Sequence, residues 1–106
     1  KELVVAIVPV TTMLNMKLIA RASGGKKAGM ADKQLVERTT GYVRGGVSPL
    51  GQRKQLTTFI DDSALDFDTI FVSGGRRGLE IELAPRDLAL LTKGAFAPLH
   101  STPHQE

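Results

Sequence analysis

Apolar residues of the chain cluster into short runs of strand length. Residues 3–10 form an almost continuous apolar run, which predicts a strand buried on both faces. Residues 56–60 predict a second short strand, and residues 69–72 predict a further buried one. Residues 79–83 alternate between apolar and acidic side chains, which is typical of a strand with one buried face. We expect these last two strands to pair as a hairpin across the glycine-rich turn between them.

Two segments in the first half of the chain have the spacing of short amphipathic helices. They cover residues 14–22 and 33–39, and the second directs Leu35 and Val36 inward. Asp32 is a favourable N-cap for the second helix because its carboxylate can accept a free N–H of the first turn. Glycine follows each segment and predicts its end, at Gly41 in the second case.

The last part of the chain predicts one more helix and one more strand. Pro85 suits the first turn of a helix, and Gly94 suits its exit. Residues 96–99 are apolar enough for a last short strand. Residues 100–106 are polar and predict a frayed tail.

Size and composition limit the possible function classes. The chain has 106 residues, of which 42% are hydrophobic, so we expect one folded domain. It has no cysteine, which excludes a disulfide, a thiol nucleophile and a thiolate metal site within these residues. No apolar run approaches the length of a membrane span.

Charge is unevenly distributed along the chain. The net charge is +3, but residues 1–61 carry ten Lys and Arg against four Asp and Glu. Residues 62–106 carry four Lys and Arg against seven acidic residues. A basic N-terminal portion suits an anionic partner such as nucleic acid, and it also suits an ordinary solvated surface.

The segment 41–51 is the strongest candidate for a functional site. It contains four glycines, a serine and a proline within eleven residues, with cations nearby on both sides. Such a loop can bring backbone N–H groups close to a phosphate, a carboxylate or an oxyanion. It is not a Walker A loop, because Gln52 and Arg53 stand where that motif needs Lys and Ser or Thr. The alternative is a structural connection between a helix and a strand.

The remaining polar clusters carry weaker signals. Ser73 lies at a predicted strand end before a Gly-Gly pair, which a hairpin turn alone would explain. The two histidines, His100 and His104, fall in the predicted tail, so neither a Ser-His-Asp nor a Cys-His site is expected here. Four aspartates lack the order of a calcium loop and predict a solvated acidic connection; they are Asp61, Asp62, Asp66 and Asp68.

In order and spacing, the chain resembles the YbaK family of Cys-tRNA(Pro) deacylases. That family is related to the editing domain inserted in bacterial prolyl-tRNA synthetase. The resemblance covers nearly all of residues 3–99 and includes residues 12–17, 30–32 and 64–69. Its most specific parts are two glycine-rich segments, Thr40-Gly41-Tyr42-Val43-Arg44-Gly45-Gly46-Val47-Ser48-Pro49-Leu50-Gly51 and Val72-Ser73-Gly74-Gly75-Arg76-Arg77-Gly78.

The resemblance implies an α+β fold. Its sheet would be mixed, strongly curved and partly barrel-like, with helices at its flanks. Residues 1–99 would form a single editing domain without the family's N-terminal part, followed by the tail. The family's functional lysine lies upstream of the strand that begins here at Leu3, and neither Lys1 nor Lys17 occupies that position.

The resemblance also implies an activity, the removal of cysteine wrongly attached to proline tRNA. In the YbaK-type mechanism the thiol of the substrate attacks its own ester carbonyl and forms a thiolactone. No cofactor and no metal are implied. The expected partners are the 3′ aminoacyl end of a mischarged tRNA and prolyl-tRNA synthetase. A cytoplasmic location, with no membrane association, is expected.

The roles of individual residues are likewise implied by the resemblance. The family has a G-x-x-x-P loop, which the segment from Gly45 to Pro49 fits. The backbone of Gly45 and Gly46 would act on the ester carbonyl. The substrate-binding set would be Val47, Ser48, Pro49, Ser73 and Gly74. From charge and position, the tRNA end would meet Tyr42, Arg44, Arg53 and Lys54.

Two other interpretations stay open from the sequence. The first is a related deacylase for another amino acid such as alanine, for which water must attack the ester. The second is a non-catalytic module that binds tRNA or prolyl-tRNA synthetase. The second interpretation predicts binding that is weakened by salt and no deacylation.

Overall fold

The computed structural model describes residues 3–43 and 47–101. Arg44, Gly45 and Gly46 therefore lie outside the described residues. The strands are β1 (Val4–Ile7), β2 (Met13–Leu14), β3 (Thr57–Asp61), β4 (Ile70–Ser73), β5 (Glu80–Leu83), β6 (Ala95–Ala97) and β7 (His100–Ser101). The helices are α1 (Met16–Ser23), α2 (Lys33–Thr40), the 3-10 helix η1 (Asp62–Asp66) and α3 (Pro85–Thr92).

Capping side chains determine where the first two helices begin. The carboxylate of Asp32 accepts a hydrogen bond from the N–H of Leu35 at 3.2 Å, which confirms its predicted role at the start of α2. Asn15 caps α1 in the same way. Leu14, predicted to be helical, therefore lies in strand β2 instead. Gly41 ends α2 with φ 83°, a left-handed conformation that glycine adopts without strain.

Three parallel strands form the central sheet, in the order β1-β3-β6. Strand β3 is in the middle, and Ile60 is fully buried there with Val72 and Leu88. Strands β4 and β5 form the predicted antiparallel hairpin, and β2 pairs with β7. The fold is thus a mixed α+β domain. The described strands form three separate sheets and none closes on itself, so a barrel-like curvature stays a prediction.

Some local predictions differ from the structure. The left-handed residue that ends α3 is Lys93 rather than Gly94. Leu35 was predicted to face inward but is 39% exposed. Ile81, on the predicted half-buried strand β5, is 37% exposed. Alternating polarity identifies an apolar face but does not require that another element cover it.

Asp61 and His100 connect the central sheet to the end of the described chain. The Asp61 carboxylate, predicted to be solvated, is only 1% exposed. It accepts hydrogen bonds from the N–H of Leu99 at 2.8 Å and from Ser63, and it contacts Nδ1 of His100 at 2.8 Å. His100 lies in strand β7, where the sequence predicted the start of a frayed tail.

The buried Asp61 carboxylate has a pKa below its ordinary value of 3.8. Burial raises this pKa, but the hydrogen bonds from Ser63, His100 and Leu99 together outweigh burial. A folded-state pKa below the unfolded one stabilises the fold above pH 3.8, and the stabilisation is lost as the pH falls through the folded-state pKa.

We therefore predict that the stability difference between the wild type and Asp61→Asn depends on pH. The wild type should be the more stable protein at pH 6, and the difference should shrink as the pH falls below about 4. Urea unfolding followed by circular dichroism between pH 6 and pH 2 measures it. A difference that stays constant over this range would show that the ionised carboxylate has no special role.

The described helices include none that is both long enough and apolar enough to cross a bilayer.

Candidate functional site

A cleft of about 490 Å³ lies along strand β1. It is also lined by Val47, Ser48 and Pro49 of the glycine loop and by Ser73 at the end of β4. The cleft therefore brings together four of the five residues that the sequence predicted for substrate binding. The rest of the lining is mostly apolar and includes Met30, Ala31, Val36, Leu56, Phe71 and Val72.

The described end of the glycine loop is held by its own hydrogen bonds. The hydroxyl of Ser48 accepts the N–H of Leu50 at 3.1 Å, and the carbonyl of Ser48 accepts from the side-chain amide of Gln52 at 3.0 Å. Both Ser48 and Pro49 are buried. Gln52 is 9% exposed and lines the cleft. This part of the loop is fixed without any ligand.

Gly74 lies directly after Ser73 where space permits only glycine. Its N–H donates to the carbonyl of Leu79 at 2.8 Å. A Cβ at position 74 would lie 2.7 Å from Cγ of Leu79 and 3.2 Å from its carbonyl oxygen. A side chain here would push the turn away from the strand and move Ser73. The same glycines thus form the hairpin turn and keep Ser73 in the cleft lining, so the two explanations given for this segment are compatible.

Tyr42 lies between the glycine loop and the β4–β5 turn. Its hydroxyl donates to the carbonyl of Leu50, and its ring lies against Gly75. Its own N–H donates to the hydroxyl of Thr40 at 3.2 Å. Tyr42 is half-buried, so its outer surface is partly accessible to a bound molecule.

The two described cations of the predicted tRNA-binding set lie outside the cleft. Arg53 is exposed, its side chain lies along Gly41, and its guanidinium donates to the carbonyl of Arg38 at 3.4 Å. Lys54 lines a separate cavity of about 320 Å³. The two cavities are adjacent, because Leu3 and Leu56 line both of them.

Sequence reasoning missed part of the site and its supports. In the sequence, Gln52 serves only to exclude a Walker motif. In the structure its side-chain amide donates to the carbonyl of Ser48, and it lines the cleft. Met30, in a motif that supported the resemblance, lines the cleft as an 82% exposed apolar residue. No pattern in the sequence indicates these contacts, because they join segments that are separate along the chain.

The polar side chains that line the described part of the cleft are hydroxyls and one amide. Among the described residues, those lining the cleft include Ser48, Gln52, Ser73 and Thr40 but no ionisable side chain. Within residues 3–43 and 47–101, no three His, Asp or Glu side chains come together as metal ligands. The arrangement suits an uncharged group held by apolar contacts and oriented by a few polar ones.

Comparison with known sequences identifies a family. The sequence profile of the aminoacyl-tRNA editing domain matches residues 1–91. A protein of Enterococcus faecalis named "Putative Cys-tRNA(Pro)/Cys-tRNA(Cys) deacylase EbsC" is 46% identical over 96 residues, which cover 91% of this chain and 58% of that protein. The uncharacterized protein YwhH of Bacillus subtilis is 36% identical over 70 residues, which cover 66% of this chain and 45% of YwhH.

Comparison with solved structures gives the same fold. A protein whose crystal structure is described as that of "a putative trans-editing enzyme for prolyl tRNA synthetase" matches with a TM-score of 0.83 and 26% identity. The match covers 91% of this chain and 60% of that one. The chain thus spans between 45% and 60% of the length of these three proteins.

Proposed function

Because the chain belongs to the aminoacyl-tRNA editing domain family, we propose that it removes mischarged cysteine from tRNA(Pro). The protein would act in trans on the 3′ aminoacyl end of the tRNA. One observation carries this proposal: the described end of the glycine loop and Ser73 line the same cleft, although they are separate along the chain. The printed name of the Enterococcus faecalis relative supports the choice of substrate.

The proposed reaction needs no nucleophile from the protein. The sulfur of the cysteine attacks its own ester carbonyl carbon, and a carbon–sulfur bond forms. The carbon–oxygen bond to the ribose then breaks, and the thiol proton ends on the released ribose hydroxyl. The products are a thiolactone and free tRNA. The lack of an ionisable side chain among the described lining residues is compatible with a nucleophile that arrives with the substrate.

The contribution of the protein would be placement and electrostatic stabilisation. An aminoacyl ester is already activated, and holding the thiol of the substrate close to its own carbonyl makes the attack an oriented intramolecular step. Backbone N–H groups of Gly45 and Gly46 would stabilise the oxyanion of the tetrahedral intermediate. Val47, Ser48 and Pro49 would hold the aminoacyl group.

The β4–β5 hairpin would also contribute to this pocket. Ser73 would contact the aminoacyl group, and Gly74 would keep the turn close enough for it to do so. The exposed cations Arg53 and Lys54, together with Arg44, would meet the negatively charged tRNA end. Lys54 lines the cavity next to the cleft, so it is near a ligand that extends beyond the aminoacyl group.

We predict that cysteinyl esters react faster than alanyl esters on the same tRNA(Pro), by about a hundredfold, because only cysteine brings an internal nucleophile. The full-length protein, in excess over labelled aminoacyl-tRNA, gives both rates. S-methylcysteinyl-tRNA(Pro) is the matched control, since it keeps the size and loses the attacking thiol.

The same experiment separates the two alternatives. Equal or faster release of alanine would assign the site to a deacylase that uses water. Salt-sensitive binding of tRNA(Pro) without release of either amino acid would assign the chain to a binding module.

A further inference from the structure

Tyr42 contacts two segments that contribute residues to the cleft lining, the glycine loop and the β4–β5 turn. Its hydroxyl bonds to the carbonyl of Leu50, which follows the cleft residue Pro49. Its ring lies against Gly75, two residues after the cleft residue Ser73. Tyr42 itself is not among the lining residues. It therefore touches each wall segment just outside the cleft.

Both segments leave room for this one side chain by using glycine. A Cβ at Gly51 would lie 3.1 Å from the hydroxyl oxygen of Tyr42, and a Cβ at Gly75 would lie 3.0 Å from Cε1 of its ring. Both glycines also have positive φ, 64° and 105°, which other residues adopt only with strain. The loop and the turn are thus each shaped around the same aromatic ring.

Leu50, which accepts the hydrogen bond from Tyr42, is itself packed against the core. The Leu50 side chain packs against the buried cluster of Ile60, Val72 and Leu88. On the other side, the N–H of Tyr42 is held by Thr40, the buried last residue of α2. Tyr42 is therefore held by hydrogen bonds at its N–H and at its hydroxyl, and its ring contacts the β4–β5 turn at Gly75.

We propose that Tyr42 is a positioning residue that fixes the distance between the glycine loop and the β4–β5 turn. This inference rests on the proposed function, in which both segments hold the aminoacyl group. Tyr42 acts on the reaction through Leu50 and Gly75, and contact with the tRNA is not needed. The inference revises the sequence-based expectation that Tyr42 binds the tRNA end.

Tyr42→Phe tests this role because it removes only the hydroxyl and keeps the ring against Gly75. We expect kcat for deacylation to fall roughly fivefold, the effect of losing one neutral hydrogen bond that orients the loop. KM for the aminoacyl-tRNA should be unchanged. Phe67→Leu is the control, since Phe67 is a 60% exposed aromatic that does not line the cleft, and kcat should be unaffected.

A second readout does not depend on deacylation. Amide hydrogen exchange, measured by NMR, should become faster in Tyr42→Phe at Leu50 and Gly74, whose N–H groups donate to the Ser48 hydroxyl and to the Leu79 carbonyl, and stay unchanged at Ile60.

The outcomes separate this inference from the proposed function. If the wild type releases no amino acid, the proposed function fails, whereas faster exchange at Leu50 and Gly74 in Tyr42→Phe still supports the coupling by Tyr42. Unchanged kcat together with unchanged exchange at both amides would overturn the positioning role. A raised KM with unchanged kcat, reversed at low salt, would overturn it in favour of a direct tRNA contact.

Discussion

Asp61→Ala is expected to lower the free energy of unfolding by about 3 kcal/mol. The Asp61 carboxylate is almost fully buried at the end of the central strand β3, where it holds Leu99, His100 and Ser63 at once. Its removal leaves the N–H of Leu99 without its acceptor in a buried place. It also removes the contact between Asp61 of β3 and His100 of β7. Strand β7 is otherwise paired only with β2, over two residues.

Asp62→Ala is the matched control for this prediction. Asp62 follows Asp61 directly but is exposed, so its replacement should change the free energy of unfolding by less than about 0.5 kcal/mol. Urea unfolding at pH 7 gives both values. Equal effects of the two substitutions would mean that the Asp61 network does not stabilise the fold.

Gly45→Ala is expected to slow deacylation by about a hundredfold. In the proposed mechanism the backbone N–H of residue 45 would stabilise the oxyanion, and a Cβ at this position would hinder the close approach of the ester to the backbone. The loss should appear in kcat, because the contact strengthens when the oxyanion forms. Gly29→Ala is a suitable control, since a Cβ at Gly29 has no atom within 4 Å and φ there is not positive.

The order of helices and strands was largely predictable because local signals determine it. Asp32, Gly41 and Pro85 act within one turn of the chain, and each lies where its chemistry predicts. Strand β7 was not predictable in this way. Its two residues are held by β2 and by Asp61, 39 residues before His100, and no local pattern reports such a distant partner.

In the candidate site, too, features set by local sequence signals were predictable and features set by distant contacts were not. Ser48 and Ser73 could be chosen from the sequence because each belongs to a glycine-rich motif of unusual composition. Their common cleft, the support from Gln52 and the position of Tyr42 depend on how separate segments pack. The sequence predicts that Tyr42 meets the tRNA end. Its contacts with Leu50 and Gly75 could not be predicted, because they join segments that are separate along the chain.

The most direct test of the account is single-turnover release of cysteine from Cys-tRNA(Pro), with the full-length protein in excess. We expect the wild type to release cysteine far faster than the spontaneous rate. Gly45→Ala should lose about two orders of magnitude of that rate, and the Gly29→Ala control should keep it. Release at the spontaneous rate by the wild type, or equal rates for the wild type and Gly45→Ala, would contradict it.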